Sequence, residues 1–371
     1  MIGELCKCCV NDRSVSGIKF DETGTCSYCS EYYRYEDKLN DFDCLEKLWM
    51  ERINTYKGKG PYDAIMGISG GKDSTYVLYQ LVNTYKLKVL AVSVDNGFLN
   101  DWSKDRIASI TSELGVEHRY ITYPEELLKK LYVSSIKAVA SPCIACSYMI
   151  YMGSISYAAE LGIPMMIHGR SPAQMLKYFS SEKSPDMVIP FLFSSLKHIN
   201  EVNLDNTYKD VYDSFKRIFP VEFMDDLTPL YPDFKGKQPV EFMPYFVYHK
   251  YNETEMVDFL EKHMKWKRPD NYELMSHYDC DAHDAGGYLY EIAEGRPHIM
   301  PELSVAVRQG LISRDEAIKT LYRSQMSSLP EKSMNALSKY VGLDKDFLQE
   351  IARGVAERKR AALANIKRKE I

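Results

Sequence analysis

The chain has 371 residues, of which 45% are hydrophobic and 27% charged, the proportions of an ordinary globular protein. Its net charge of −5 gives no global reason to expect a nucleic-acid binder. Because the first residues lack the apolar core of a signal peptide and no long apolar run follows, we expect a cytoplasmic protein without a membrane span. Nine cysteines are the unusual feature. In a reducing compartment, clustered cysteines indicate metal binding or catalysis rather than disulfides.

Hydrophobic spacing predicts four regions along the chain. Residues 1–40 resemble a zinc ribbon with one strand-like piece at 18–20, and residues 41–60 form a linker helix. Residues 61–180 alternate strands (62–68, 88–94, 117–121, 164–168) with helices (74–85, 102–114, 125–139, 148–161). Residues 181–371 are mainly helical, with helices at 208–218, 253–264, 286–293, 302–309, 314–322, 331–341 and 345–369. The sequence therefore predicts an α/β fold, with a doubly wound parallel sheet and helices on both faces.

The hexapeptide Ser69-Gly70-Gly71-Lys72-Asp73-Ser74 stands where a buried strand ends and a helix begins. Two glycines let the backbone turn tightly, and the helix N-terminus supplies unpaired N–H donors and a partial positive charge. Hydroxyls of Ser69 and Ser74 and the Lys72 ammonium add further groups for an anion. We interpret the segment as a phosphate-binding loop, the alternative being an ordinary strand-to-helix turn with a serine cap.

The same hexapeptide resembles the PP-loop, SGGxDS, of the ATP pyrophosphatase superfamily, which is Rossmann-like and includes the adenine nucleotide alpha hydrolases. The resemblance implies that ATP is split between its α- and β-phosphates and that AMP is transferred to a substrate carbonyl oxygen. Ser69, Gly70, Gly71, Lys72, Asp73 and Ser74 would hold pyrophosphate and Mg²⁺, with Lys72 and Asp73 catalytic. Asp95 and Gly169, at the ends of later strands, would contact the rest of the ATP.

Two CxxC pairs open the chain, Cys6 with Cys9 and Cys26 with Cys29. Their spacing is typical of a structural zinc site made of four thiolates. The extra Cys8 leaves the register open, and unrelated reduced cysteines are the alternative.

A third pair, Cys143 and Cys146, is accompanied only by the distant Cys280. This pattern resembles the three-cysteine [4Fe–4S] site of iron–sulfur tRNA thiolation enzymes in the same superfamily, and it implies a cluster with one iron left open for sulfur delivery. A persulfide-carrying pair and merely buried thiols are the alternatives. We expect Cys44 in a helical core. Polar residues around Cys280 are candidates for the same site, Asp279 and Asp281 foremost, then His277, His283 and Asp284.

The wider pattern is similar to the N-acetyl sugar amidotransferase family, on residues 17–26, the Ser69–Ser74 loop and residues 310–317. That resemblance implies conversion of an acetamido to an acetamidino group with ammonia from a partner glutaminase. Because the Cys143–Cys146 pair departs from the family, we rank a sulfurtransferase first and an amidotransferase second, with a non-catalytic nucleotide-binding regulator as a third hypothesis. We expect a small-molecule or nucleotide-sugar substrate rather than RNA, and a sulfur donor or a glutaminase as partner. A homodimer is one assembly compatible with the sequence.

Overall fold

The structure is a computed structural model that describes residues 2–15, 18–171, 225, 240–269, 278–326 and 328–369. The helix predicted at 208–218 and the candidate site residue His277 lie outside these ranges. No helix within them is long and apolar enough to cross a membrane.

Five parallel strands form the central sheet, in the order β3-β2-β1-β4-β5. They are β1 (Ala64–Gly67), β2 (Val89–Asp95), β3 (His118–Thr122), β4 (Met165–His168) and β5 (Glu241–Pro244). The chain winds outward from β1 to β3 and then in the other direction through β4 and β5. The point of reversal therefore lies between β1 and β4, and ligands of such sheets bind there at the carboxyl ends of the strands.

Thirteen α-helices are described around the sheet, with a π-helix (Gln80–Thr84) continuing the third of them, and most follow the predicted positions. Before the sheet and between its strands these are α1 (Ser27–Leu39), α2 (Phe42–Tyr56), α3 (Lys72–Tyr79), α4 (Asp101–Leu114), α5 (Glu125–Val139) and α6 (Cys143–Leu161). After β5 come α7 (Tyr245–Tyr248), α8 (Glu253–His263), α9 (His283–Glu294), α10 (Met300–Arg308), α11 (Arg314–Arg323), α12 (Glu331–Val341) and α13 (Lys345–Lys369).

Alternating strand residues divide the core into two layers, because successive side chains of a strand point to opposite faces. Met66 and Ile167 pack with Trp49 of α2, Ile107 of α4 and Leu260 of α8. On the other face the strands meet α5, α6, α9, α12 and α13, through residues such as Ile65, Leu90, Met149, Leu289 and Leu348. The predicted fold class, a doubly wound parallel sheet with an N-terminal four-cysteine ribbon and a mainly helical C-terminal region, is confirmed.

Three details differ from the sequence prediction. Strand β5 lies in the region predicted as helical, and its four residues ending in a proline are too short to give a periodic signal. Helix α1 begins right after Cys26, where the clustered cysteines and tyrosines hid its spacing. The predicted core residue Cys44 is exposed, because α2 turns Leu45, Trp49 and Ile53 toward the sheet instead.

Candidate functional site

The phosphate loop lies at the point where the sheet reverses direction, between the end of β1 and the start of α3. Gly70 has a φ of +79°, a conformation that side chains with a Cβ disfavour. A Cβ on Gly70 would also lie 2.9 Å from Arg106 Cβ and 3.0 Å from the Ser103 carbonyl oxygen. Glycine is therefore required at this position for two separate reasons.

Hydrogen bonds hold the loop in shape. The Ser69 N–H donates to Ser74 Oγ (3.3 Å), and Ser74 Oγ donates to the Gly71 carbonyl (3.2 Å). Trp266 reaches in from the region after α8, and its Nε1–H donates to the Gly70 carbonyl (3.3 Å). The loop is thus fixed before any ligand binds, as expected of a preorganised anion site.

The two charged residues of the loop are buried in a small network. Lys72 Nζ lies 3.3 Å from Asp73 Oδ2 and 3.6 Å from Glu253 Oε1, and the Tyr251 hydroxyl lies 3.0 Å from Asp73 Oδ1. Burial alone would lower the pKa of Lys72, but the carboxylates of Asp73 and Glu253 outweigh it and raise that pKa. Burial raises the pKa of Asp73. Lys72 is therefore a permanent cation between two acidic groups.

Of the two residues predicted to bind the rest of the ATP, one faces the loop. Gly169 follows β4, and a Cβ there would be 3.3 Å from Ser74 Cα, so the close approach favours glycine. Asp95 instead accepts a hydrogen bond from the Gly97 N–H (3.1 Å) in the turn after β2, and its neighbour Asn96 lines the cavity. His168, just before Gly169, is buried, and this burial lowers its pKa well below the usual range, so its ring is neutral.

One cavity of about 370 Å³ connects the loop with the third cysteine group. Every residue of the loop except Gly70 lines it, as do Gly169, Arg170 and all three of Cys143, Cys146 and Cys280. The volume is within the range of small-molecule sites.

The three cysteines come from two separate parts of the chain. Cys143 and Cys146 form the first turn of α6, so the pair starts this helix rather than preceding it. Cys280 pairs as an isolated antiparallel bridge with Leu99, which follows β2. Burial raises the pKa of Cys146 to about 11 and that of Cys280 well above its usual range, and in each case the neighbouring thiols of the group add to the shift.

In the part of the chain that the structure describes, the three thiols are grouped less tightly than the four thiols at the N-terminus. Among the described residues, these sulfurs do not form a set within 4.8 Å of one another, as the ligands of a single ion would. A Cβ on Gly286 of α9 would lie 2.8 Å from Cys143 Sγ, so only a glycine lets α9 approach that sulfur this closely. The Asn96 side-chain amide donates to Cys146 Sγ (3.2 Å), a contact of the kind that tunes cluster thiolates.

Among the candidate polar residues around Cys280, Asp279 and His283 line the cavity. After burial and other, larger effects, the charge of Asp279 contributes to raising the pKa of Lys72, Cys146 and Cys280. Asp281 does not line the cavity; its backbone N–H donates to the Phe98 carbonyl (3.0 Å). Asp284 also lies off the cavity wall, in the first turn of α9.

The two N-terminal CxxC pairs together form one closed metal site. The four sulfurs of Cys6, Cys9, Cys26 and Cys29 lie within 4.8 Å of one another, with Cys6–Cys29 at 4.0 Å and Cys9–Cys26 at 3.7 Å. Tetrahedral zinc with bonds of 2.3 Å requires sulfurs about 3.8 Å apart, so these four residues fit it. Cys8 stays outside, with its sulfur 3.6 Å from Thr25 Oγ1, which resolves the register.

Contacts among the four thiols shift their pKa values in opposite directions, lowering those of Cys6 and Cys9 and raising those of Cys26 and Cys29. Cys6 Sγ accepts from the Cys8 N–H (3.4 Å) and the Cys26 N–H (3.2 Å). Contacts with Cys26 and Cys29, together with the charge of Arg308, lower the pKa of Cys9 to about 7. Backbone N–H donors and a cation beside thiolates are usual around structural zinc.

The ribbon forms one wall of the cavity, a role that no pattern in the sequence indicates. Asn11 and Tyr28 of the ribbon line it together with Arg308 of α10, whose Nη1 is 3.9 Å from Cys29 Sγ. Arg314 of α11 donates to the carbonyls of Cys6 (2.8 Å) and Cys9 (3.1 Å). Further polar residues of the site carry no signal in the sequence, namely Tyr251 and Glu253 beside the loop and Tyr290, Arg296, His298 and Glu302 on the cavity wall. Isolated polar residues outside a motif give no local indication of such roles.

Comparison by sequence finds partial similarities. No protein-family model matches the chain. The uncharacterized protein MJ1599 of Methanocaldococcus jannaschii is 27% identical over 166 residues, which are 44% of this chain and 58% of that protein. The glutamine-hydrolyzing GMP synthase of Pyrobaculum aerophilum is 35% identical over 102 residues, 28% of this chain and 18% of that enzyme. The matched segments thus span just over half of the first relative and under a fifth of the second.

Comparison by structure finds solved enzymes among its matches, each with a low TM-score. The U34-tRNA thiolase NcsA from Methanococcus maripaludis, with its [4Fe-4S] cluster, has a TM-score of 0.34 at 14% identity, covering 93% of this chain and 100% of that one. The NH3-dependent NAD synthetase from Campylobacter jejuni has a TM-score of 0.31 at 14% identity, and the match covers 51% of this chain and 93% of that one. The NMN synthetase from Francisella tularensis has a TM-score of 0.32 at 10% identity, and the match covers 80% of this chain and 93% of that one.

Proposed function

We propose that the protein is an ATP-dependent sulfurtransferase, which adenylates an amide- or lactam-type carbonyl oxygen of a small molecule and replaces that oxygen with sulfur. One observation carries the proposal: the phosphate loop and the thiols of Cys143, Cys146 and Cys280 line the same cavity. A group activated at the loop would therefore be within the same enclosed space as the sulfur-delivering site.

The chemistry follows from the leaving group. The substrate carbonyl oxygen attacks the α-phosphorus of ATP, the bond to the β-phosphate breaks, and pyrophosphate leaves. The amide loses its N–H proton in this step, so its carbon becomes part of an adenylated imidate. Hydrosulfide then adds to that carbon, the C–O bond breaks, and AMP leaves with the original oxygen. The proton of the hydrosulfide returns to the nitrogen, which gives a thioamide.

The chain's own residues have separate tasks in this scheme. Backbone N–H groups at the start of α3, with Ser69 and Ser74, would hold the phosphates, and Lys72 would stabilise the charge that develops on them. Asp73 would hold Mg²⁺, and the four ribbon cysteines would hold structural zinc. Cys143, Cys146 and Cys280 fit a [4Fe–4S] cluster, which supplies an iron position without a protein ligand to take up the sulfur donor.

Nitrogen transfer is the second candidate, and the similarity to the glutamine-hydrolyzing GMP synthase favours it. The same adenylated carbon accepts ammonia as well as sulfide, so only the nucleophile differs. In this case a separate glutaminase would supply ammonia, and the three thiols would have no part in the reaction. A regulator without catalysis would bind nucleotide but release no pyrophosphate.

Variants of the loop and of the thiols separate these hypotheses. We expect Asp73→Ala and Ser74→Ala to abolish pyrophosphate release from ATP, and unchanged release would refute the loop assignment. Cys143→Ser and Cys146→Ser should bind ATP like the unaltered protein and contain no iron after anaerobic reconstitution. Cys44→Ser, on the exposed face of α2, is the matched control and should keep its iron. Iron retained in both site variants would exclude a cluster at these residues.

A separate measurement tests the substrate class. The cavity volume and the acidic net charge support a small molecule, so we expect no tRNA binding at low salt, where phosphate contacts are strongest. Salt-dependent tRNA binding would instead support an RNA substrate.

A further inference from the structure

Two residues outside the phosphate loop each contact one of its two charged side chains. Glu253 begins α8, and Tyr251 lies just before it. The Tyr251 hydroxyl is 3.0 Å from Asp73 Oδ1 and 3.2 Å from Glu253 Oε2, while Glu253 Oε1 is 3.6 Å from Lys72 Nζ. Neither Tyr251 nor Glu253 lines the cavity, so both act on the loop from behind.

The position of Glu253 is set by the fold rather than by the loop. Asn252 caps α8, with its side-chain oxygen accepting from the Glu255 N–H (3.3 Å). Helix α8 is packed on α3 through Phe259, whose ring meets those of Tyr76 (5.5 Å) and Tyr79 (4.9 Å) edge to face. The carboxylate is therefore presented to Lys72 by a rigid neighbouring helix.

The charges of this network oppose the binding of a bare polyphosphate. The single ammonium group, that of Lys72, lies beside the two carboxyl groups of Asp73 and Glu253. The side chains of Lys72 and Glu253 are each only 7% exposed. At such burial a charge at 3.6 Å acts strongly, because little water screens it. The pairing of Glu253 with Lys72 offsets part of the positive charge that Lys72 would offer to a phosphate, and a divalent cation at Asp73 would restore the attraction.

We propose that Glu253, with Tyr251 as its hydrogen-bonding partner, is a positioning residue that makes nucleotide binding at the loop depend on Mg²⁺. The Tyr251 hydroxyl bridges the two carboxyl groups and orients them, so that Asp73 is available to the cation while Glu253 stays with Lys72. The inference rests on the proposed assignment of the loop to ATP. It adds that the choice between metal-bound and metal-free ATP is made by two residues behind the loop.

Equilibrium binding of ATP, measured by calorimetry in millimolar Mg²⁺ and again in excess EDTA, tests the inference. The unaltered protein should bind far more tightly with Mg²⁺. In Glu253→Gln the affinity for metal-free ATP should rise on the order of tenfold, so the ratio of the ATP affinity with Mg²⁺ to that without it should fall. In Tyr251→Phe the Mg²⁺ concentration needed for half-maximal ATP binding should rise several-fold.

Glu255→Gln is the matched control, because Glu255 lies in the same first turn of α8 but is exposed, and its Mg²⁺ dependence should not change. Thermal unfolding of each variant separates a change in binding from a loss of fold. If Glu253→Gln does not fold, Tyr251→Phe alone decides the question. Mg²⁺ dependence equal to that of the unaltered protein in every folded variant would overturn the inference. If the unaltered protein binds no ATP even with Mg²⁺, the loop assignment itself fails.

Discussion

Replacing Gly286 by alanine perturbs the three-thiol site without removing any ligand. Gly286 lies in the first turn of α9, facing Cys143 at the start of α6. Its φ is not in the left-handed region, so alanine is allowed by the backbone and favoured by the helix. Any loss at the site is then attributable to the added methyl group.

The geometry gives the size of the effect. The new Cβ would be 2.8 Å from Cys143 Sγ, whereas ordinary contact begins at 3.4 Å, so the sulfur must move by about 0.6 Å. Pro142, at 3.5 Å on the same side, limits how the helix start can yield. A displacement of this size exceeds the roughly 0.5 Å within which a ligand site must be held. Alanine gains about 1 kcal/mol in a helix, and overpacking costs about 1–3 kcal/mol, so net destabilisation stays below about 2 kcal/mol.

The assay is iron and acid-labile sulfide per chain after anaerobic reconstitution, together with the free energy of unfolding in denaturant. We expect Gly286→Ala to fold and to lose most of its iron. Gly354→Ala in α13 is the control, because the nearest atom to its added Cβ is the flexible end of Arg358 at 3.8 Å. That variant should be as stable as the unaltered protein or more so, and should keep its iron. A Gly286→Ala protein with full iron content would refute the reasoning that the cluster needs the position that Cys143 Sγ takes beside Gly286.

The remaining predictions concern the ribbon and the loop. Cys8→Ser should leave the zinc affinity unchanged, because Cys8 lies outside the four-thiol site. Cys26→Ser removes a ligand, so zinc binding measured by chelator competition should weaken by more than the roughly 10–100-fold that is typical when a residue next to a ligand is lost. Equal zinc affinity in the two variants would contradict the four-thiol site. Gly70→Ala should lose at least about tenfold in ATP affinity, because it adds backbone strain of about 1–2 kcal/mol to a contact with the Ser103 carbonyl. Gly58→Ala has a similar φ of +77° but no neighbour within 4 Å, so it should lose stability and keep its ATP affinity. Equal ATP binding by both glycine variants would show that the loop tolerates a side chain.

Local sequence signals were sufficient for the first four strands of the sheet and for the positions of the key motifs. The alternation of apolar strands and helices, and the glycines after β1, depend only on residues close in the chain. For that reason the start of α3, the helices α5 and α12, and the closed four-cysteine site could be placed from spacing alone.

Features that depend on distant contacts could not be read in this way. Strand β5 pairs with β4 across more than seventy residues, and its own four residues lack a periodic pattern. The exposure of Cys44 depends on which side of α2 meets the sheet. Glu253 reaches Lys72 only because α8 packs on α3. Likewise, Asn11 lines the cavity and accepts a hydrogen bond of 2.8 Å from Ser304 of α10, a contact between residues far apart in the chain.

The central claim is that a sulfur-delivering cluster shares a cavity with the ATP site. Elemental analysis of the unaltered protein, purified without oxygen and expressed with sufficient iron, tests it most directly. We predict one zinc and four irons per chain, with as many acid-labile sulfides as irons. One zinc with no iron, in colourless protein that does not take up iron on reconstitution, would contradict the claim and leave nitrogen transfer as the better account of the adenylating site.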